Sequence, residues 1–413
     1  MAPTHSIAFC NNRGGAGKTF MAFQVACEAA RARPGKKVLV IDFSLYADIT
    51  QLLLGGGAAG EDGVSKGARE TIKLAPTMDT RVEGLIRDLE QAMDVDDLST
   101  AAPAVSNSFF GQLFGRREST APTQVPSGPV DLTKYAIRPY DANEAIPSNL
   151  YLIPSAGEIS WDPETTSTGA EIDVPLWMRK GDEWAPASRR LAAAADALPE
   201  DFDAIFVDTD HLASCVLTKM ALAMCDSVVV PLSLNDQDFN RLYKDLTLNA
   251  LFTDVMAPML QKSQLRARVH RMVFTRVTSN GNTPEVTDKH IKSPFKPTIA
   301  AMSQMDILAG KAQTVCRSHN SYKELFKGVD ALPDTIQAFN DEYFSAMKSM
   351  PDLAASISMN SGVPLCNMTT QTYIADSGLE GKSDGKALKA IKAEMLALVM
   401  SITSEKYNKP NLV

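Results

Sequence analysis

Short, nearly unbroken apolar runs recur along this chain: Ile7-Ala8-Phe9-Cys10, Val38-Leu39-Val40-Ile41, Leu150-Tyr151-Leu152-Ile153, Ala204-Ile205-Phe206-Val207, Val228-Val229-Val230 and Met272-Val273-Phe274. Runs of that length without polar alternation are what strands buried on both faces of a parallel sheet present. Between them lie stretches with helical spacing. These are Thr19 to Ala32 (stopping before Pro34-Gly35), Arg81 to Met93, the Ala-rich Ser188 to Leu198, Leu217 to Met224, and Phe239 to Phe252. The alternation predicts an α/β fold, a mostly parallel, doubly wound sheet with helices on both faces.

Two regions interrupt the rhythm. Residues 55–148 form a long insertion after the second strand, opened by Gly55-Gly56-Gly57. Within it, residues 99–130 are rich in Ser, Pro, Thr and Gly and read as a linker. Phe109, Phe110, Leu113 and Phe114, followed by Arg116-Arg117, make an apolar island there, either an anchor on the core or a docking segment. Residues 284–413 read as a mainly helical C-terminal part. Helices are predicted around Ile299–Leu308 and Thr335–Met350, a last strand over Val363–Met368, and a closing helix over 384–404. That helix aligns Leu388, Ile391, Met395, Leu398 and Ile402 on one stripe, with Lys386, Lys389 and Lys392 on the other side. The whole chain, 1–413, is read as a single domain.

Composition narrows the class. The chain has 413 residues, 45% of them hydrophobic, which is ample for a large core. No apolar run approaches the ~20 residues that span a bilayer, and the first run is no signal peptide, so a cytoplasmic protein is expected. Net charge of −8 argues against a surface basic throughout, though not against a local basic patch. Six scattered cysteines include no C-x-x-C pair and read as buried thiols.

The chemistry concentrates at Asn11-Asn12-Arg13-Gly14-Gly15-Ala16-Gly17-Lys18-Thr19, set between the first apolar run and the first helix. Glycines let backbone N–H groups converge on an anion, and the helix N-terminus adds its positive dipole end. Lys18 then reaches the outer phosphates and the Thr19 hydroxyl can ligate Mg²⁺. Asn12 stands where the strict pattern has its first glycine, and Asn tolerates a left-handed turn. Asp42 and Asp208 each close an apolar strand, where α/β sheets bind nucleotides. Asp208 is expected to hold Mg²⁺ through a water, because Mg²⁺ dehydrates reluctantly.

Arg13-Gly14-Gly15-Ala16-Gly17-Lys18-Thr19 resembles the deviant Walker A loop of the ParA/MinD ATPases, usually K-G-G-x-G-K-T. The resemblance covers residues 6–55 and 149–280 well. Val38–Ser44 is similar to V-L-x-I-D-x-D, Asn149–Ser155 to the strand before the second switch, Phe202–Thr209 to the Walker B strand, and Cys225–Leu232 to the strand after it. It implies bound ATP and Mg²⁺, a homodimer in the ATP state, and a partner protein that stimulates turnover. Arg13 takes the place of the signature lysine that crosses the dimer interface. Lys18 holds phosphate, Asp42 lies close to Mg²⁺ and the attacking water, and Thr275-Arg276 matches the loop that frames the adenine. The implied work is an ATP-dependent dimerisation switch that partitions DNA or positions a large cargo, with non-specific DNA meeting Lys386, Lys389 and Lys392. A MinD-like membrane-associated ATPase and a poorly hydrolysing scaffold are the alternatives. Two departures bear on turnover. Ser44 replaces the second aspartate, so slow ATPase activity is expected, and Asp48 could substitute only if its loop folds back. Asp210-His211 replaces two prolines and could position water. The loop begins at residue 11, so sequence-specific operator binding through a preceding helix-turn-helix is not expected.

Overall fold

The computed structural model describes residues 5–90, 129–155, 184–281, 295–327 and 333–403, apart from Leu45, Leu212, Asp245, Thr247, Leu248, Asp334, Pro351, 375–379 and 383–384. One seven-stranded sheet organises them. Its strands are β1 (His5–Phe9), β2 (Lys37–Phe43), β3 (Leu150–Ile153), β4 (Phe202–Thr209), β5 (Ser227–Leu232), β6 (Arg268–Val277) and β7 (Phe344–Lys348). They lie side by side in the order β3-β2-β4-β1-β5-β6-β7, all parallel.

Side chains leave each strand alternately to the two faces, and both faces are covered. Ile7, Phe9, Val38, Val40 and Phe206 share one core with Met21, Phe23 and Val25 of α1 (Lys18–Ala32). Ala8, Leu39, Ile41, Ile205 and Val207 enter the other. The helices used below are α2 (Asp48–Leu53), α3 (Ala185–Asp196), α4 (Val216–Met224), α5 (Asp236–Arg241), α6 (Ile299–Ser318), α7 (Asp352–Ser361) and α8 (Gly385–Thr403). In α8 the stripe Leu388, Ile391, Met395, Leu398 and Ile402 is buried in the core of α1. The residues of α3 and α4 pack on the opposite face. Between β2 and β3 the chain forms α2, a helix over Lys66–Leu74 and helical turns over 82–90. The Phe109–Arg117 island and nearly all of residues 99–130 lie outside the described residues.

Three expectations are corrected. Phe239 to Phe252 is not one helix. Helix α5 stops at Arg241, and a new π-helical turn begins at Leu251. The Phe252 amide donates to the Leu242 carbonyl at 2.9 Å, closing the loop between them. Its apolar spacing reported burial of Phe239, Leu242 and Phe252, which a turn achieves as well as a helix. Nor is Thr335–Met350 one helix. Residues Ile336–Tyr343 are helical, and the chain then extends into β7, where Phe344 stacks on Phe274 of β6 at 5.3 Å. Pairing with an unfilled sheet edge overrides local helix propensity there. Third, Val363–Met368 is a buried turn, closed by Asn367 and Met368 amides donating to the Pro364 carbonyl. Its apolar residues face the core without a neighbouring strand.

Candidate nucleotide site

Strand register brings the site together. Asp208 at the end of β4 sits opposite Asp42 of β2 on one side and Phe9 of β1 on the other. Beyond Phe9 the chain turns through Asn11–Gly17 into α1. The left-handed positions of that turn are Gly15 (φ 74°) and Gly17 (φ 92°). Asn12 is not among them. Its amide instead donates to the Arg241 carbonyl at 3.0 Å, and the Asn11 amide donates to the Pro231 carbonyl, so both tie the loop to neighbouring segments. At Gly17 any side chain would be strained by φ.

Lys18 is buried, and its ammonium donates to the Arg13 carbonyl at 3.0 Å, curling over its own loop. Burial lowers its pKa, and Asp208 opposes that shift. The Asp208 carboxylate is fully enclosed. The Thr19 hydroxyl lies beside it, yet neither carboxylate oxygen completes a hydrogen bond. Burial, with Asp42 close by, pushes its pKa well above the ordinary carboxylate range. A buried acceptor pair without donors, next to a hydroxyl and an ammonium, fits a hydrated divalent cation. Asp208 and Thr19 are therefore the groups that would hold Mg²⁺.

Asp42 contrasts with it. Its carboxylate accepts four hydrogen bonds: Ser44 N and Oγ at 2.9 and 2.7 Å, and Thr50 N and Oγ1 at 3.0 and 2.6 Å. It is wholly buried, its pKa is raised to about 6 by burial against those bonds, and it does not line the cleft described below. Ser44 is also turned inward, and its hydroxyl accepts from the Asp48 amide at 3.0 Å. Ser155, after β3, fixes the same loop by donating from N to Thr50 Oγ1 at 3.2 Å and from Oγ to the Ser44 carbonyl at 3.1 Å. These hydrogen bonds make Asp42 an anchor of the loop after β2.

That loop folds back. Ala47 adopts a left-handed φ of 54°, and Asp48 begins α2 facing the P-loop. A cleft of about 840 Å³ opens there, within the range of ligand sites. Its phosphate end is lined by Gly14, Gly15, Gly17, Lys18, Thr19, Asp48, Thr209, Asp210 and His211. Asp210 is buried and meets His211 Nδ1 at 2.5 Å. Partial desolvation and the nearby Asp210 raise the Asp48 pKa above its usual value.

The other sequence candidates fall as follows. Thr275 and Arg276 both line the cleft, but the Thr275 hydroxyl donates to the Ala16 and Leu232 carbonyls at 3.2 and 3.0 Å, holding the loop against β5. Arg276 is exposed, with a left-handed φ of 57°. Ala16 is buried behind the loop. Arg13 pairs with the buried carboxylate of Asp238 in α5 of its own chain. Lys386 and Lys389 are exposed on α8, and Lys392 is half-buried. The wall opposite the P-loop was not foreseen. It comes from Met347, Lys348, Ser349 and Met350 at the end of β7, and from Ala355, Met359 and Asn360 of α7. Phe344-Ser345-Ala346 alternates as a strand does and Pro351 follows shortly after, which was the available signal.

A strand-to-helix turn whose backbone closes on a buried lysine is built for phosphate, which places the protein in the P-loop nucleotide-binding class. The family model CbiA, "CobQ/CobB/MinD/ParA nucleotide binding domain", matches residues 7–305, and the chain belongs to that family. Among solved structures it is similar to the ParA of pnob8, at 14% identity and a TM-score of 0.51, with 98% of this chain and 99% of that one covered. It is also similar to a putative plasmid partition protein from Borrelia burgdorferi B31 bound to AMPPNP, at 14% identity, a TM-score of 0.46, and 98% and 100% coverage. A complex of Cyanothece McdA, in a single-substitution form, with ATP is a third, at 11% identity, a TM-score of 0.46, and 98% coverage of each chain. No curated protein sequence matches the chain. No described helix is long and apolar enough to cross a membrane.

Proposed function

We propose that the chain is an ATP-dependent dimerisation switch: MgATP joins two copies, and hydrolysis or release separates them. The observation that carries this reading is the cleft itself. Its inner wall offers Lys18 and Thr19, with the undonated Asp208 enclosed behind Thr19, while its phosphate end stays open at the exposed Gly14 and Gly15 beside the half-exposed Arg13. A second copy can therefore complete it. Lys18 binds phosphate and Thr19 with Asp208 holds Mg²⁺, which when bound offsets charge on the outer phosphates. Arg13 exchanges Asp238 for the phosphates of the facing subunit, where its planar fork suits an anion. Arg276 borders the base. The γ-phosphate then supplies the differential binding energy that a switch requires. The output is positioning of DNA or a large cargo in the cytoplasm, with Lys386, Lys389 and Lys392 meeting non-specific DNA. We read residues 1–413 as one domain, since β7 fills the sheet edge and α8 covers α1.

Size-exclusion chromatography with light scattering tests this. A monomer in ADP and a dimer in a non-hydrolysable ATP analogue are expected, with Lys18→Ala monomeric in both. One mass in every state would overturn the switch. The inward turn of Ser44 favours a second reading, a scaffold that binds nucleotide and scarcely hydrolyses it. Phosphate release no faster than that of Lys18→Ala would select it.

A further inference from the structure

We infer that Asp48 is the residue that orients and deprotonates the attacking water, an assignment that rests on the hydrolysing switch proposed above. Asp42 spends both carboxylate oxygens on Ser44 and Thr50 and is wholly enclosed. Ser44 points its hydroxyl at Asp42. Asp210 has a side chain only 1% exposed and is held by His211 at 2.5 Å. Asp48 is different. Its side chain is exposed to the cleft, on the same wall as Lys18, Thr19, Thr209 and Asp210. Its carboxylate makes no hydrogen bond or ion pair with any described residue, while its backbone amide is fixed by Ser44 Oγ at 3.0 Å.

The local backbone serves this placement. Ala47 has the left-handed φ of 54°, a conformation strained for a non-glycine residue that persists where the surroundings impose it. The impositions are visible. Asp42, Ser44, Thr50 and Ser155 pin the loop on either side of Ala47, and the Ala47 carbonyl accepts from the Gln51 amide at 2.9 Å. The result is a carboxylate lining the phosphate end of the cleft, on a loop hydrogen-bonded on both sides of Ala47. Ser44 thus acts through the Asp48 amide, as a positioning residue.

In the step proposed, water donates a hydrogen bond to Asp48 and its oxygen forms a bond to the γ-phosphorus. The bond from that phosphorus to the bridging oxygen breaks, its electron pair leaving on ADP. The water proton passes to the Asp48 carboxylate and departs with inorganic phosphate.

The test compares parent, Asp48→Asn, Asp48→Glu, His211→Gln and Lys18→Ala, measuring MgATP affinity by calorimetry and phosphate release in a single turnover. Asp48→Asn is near-isosteric and keeps the backbone amide, so folding is retained. It is expected to bind MgATP within about threefold of the parent and to release phosphate about a hundredfold more slowly, the scale of a lost proton acceptor. Asp48→Glu is expected to recover part of that loss, and His211→Gln to slow release less than Asp48→Asn does. Asp48→Asn releasing phosphate at the parental rate, or His211→Gln alone abolishing release, overturns the assignment while leaving the switch standing. A parent that releases no more phosphate than Lys18→Ala overturns both.

Discussion

The two ends of the parallel sheet differ in how their aspartates are partnered. At the amino end, acids are closed by cations of the same chain. Arg33 forks onto Asp203 at 3.0 and 2.9 Å, and Arg266 forks onto Asp196 at 2.9 Å while also reaching Asp226. Asp226 further accepts from the Ser6 amide and hydroxyl. At the carboxyl end, Asp208 has both oxygens enclosed and undonated, and Asn11 Oδ1 lacks a donor as well. A buried charge without partners is costly, so groups left that way mark where a ligand belongs. Among the described residues only Asp208 keeps both carboxylate oxygens buried and undonated, a group reserved for a charged visitor at the carboxyl end of the sheet.

The largest effect follows from neutralising the reserved group. Asp208→Asn keeps shape and removes the charge. The Mg²⁺-dependent part of nucleotide binding is expected to fall about a hundredfold, as when a metal ligand or its support is lost. The midpoint of thermal unfolding without nucleotide is expected to rise, because the cost of enclosing an undonated carboxylate is relieved. Calorimetry with and without Mg²⁺, alongside thermal melts, checks both. An Mg²⁺ response equal to the parent's would erase the contrast between the ends.

Asp42 sharpens the comparison, because it lies in register with Asp208 yet is satisfied in the manner of the amino end. Asp42→Ala strands four donors and opens a cavity, so a loss of roughly 3 kcal/mol is expected in urea unfolding. A variant as stable as the parent would mean the loop is held by other contacts.

Legibility in the sequence divides along the same line. Where chemistry dictates residue type, as at Gly15, Gly17, Lys18, Thr19 and Asp208, the order of strand, loop and helix is readable directly. The satisfaction of Asp42 was not readable, because Ser44 and Thr50 are unremarkable residues whose meaning depends on a loop held by Ser155, more than a hundred positions away. Asp48 was visible only as a carboxylate of uncertain direction, since the left-handed turn at Ala47 is a tertiary imposition on a residue that does not favour it. The far wall of the cleft fared worst. Met347 to Met350 are ordinary apolar and polar residues, and only pairing with β6 makes them a strand end. The separate turn at Leu242–Phe252 shows the same limit, for apolar spacing reports burial before it reports helix.

His270 offers the mildest test, on the closed end. It lies in β6, is buried, and its Nε2 meets the Ile402 carbonyl of α8 at 2.8 Å. Burial, reinforced by Arg271, Lys327 and His5, lowers its pKa to about 3, against the ordinary 6.5; the Ile402 carbonyl opposes the shift. The unfolded chain therefore takes up a proton below about pH 6.5 that the folded chain refuses until about pH 3. Stability attributable to this group is whole above that window and is lost as pH falls through it, by at most about 1.4 kcal/mol per pH unit. From pH 6.5 to 5 the loss is roughly 2 kcal/mol in the parent. His270→Gln can still donate to Ile402 and carries no proton-dependent charge, so its urea midpoint should change less over that interval. Equal slopes for the two proteins would show that the acid sensitivity of the closed end has another source.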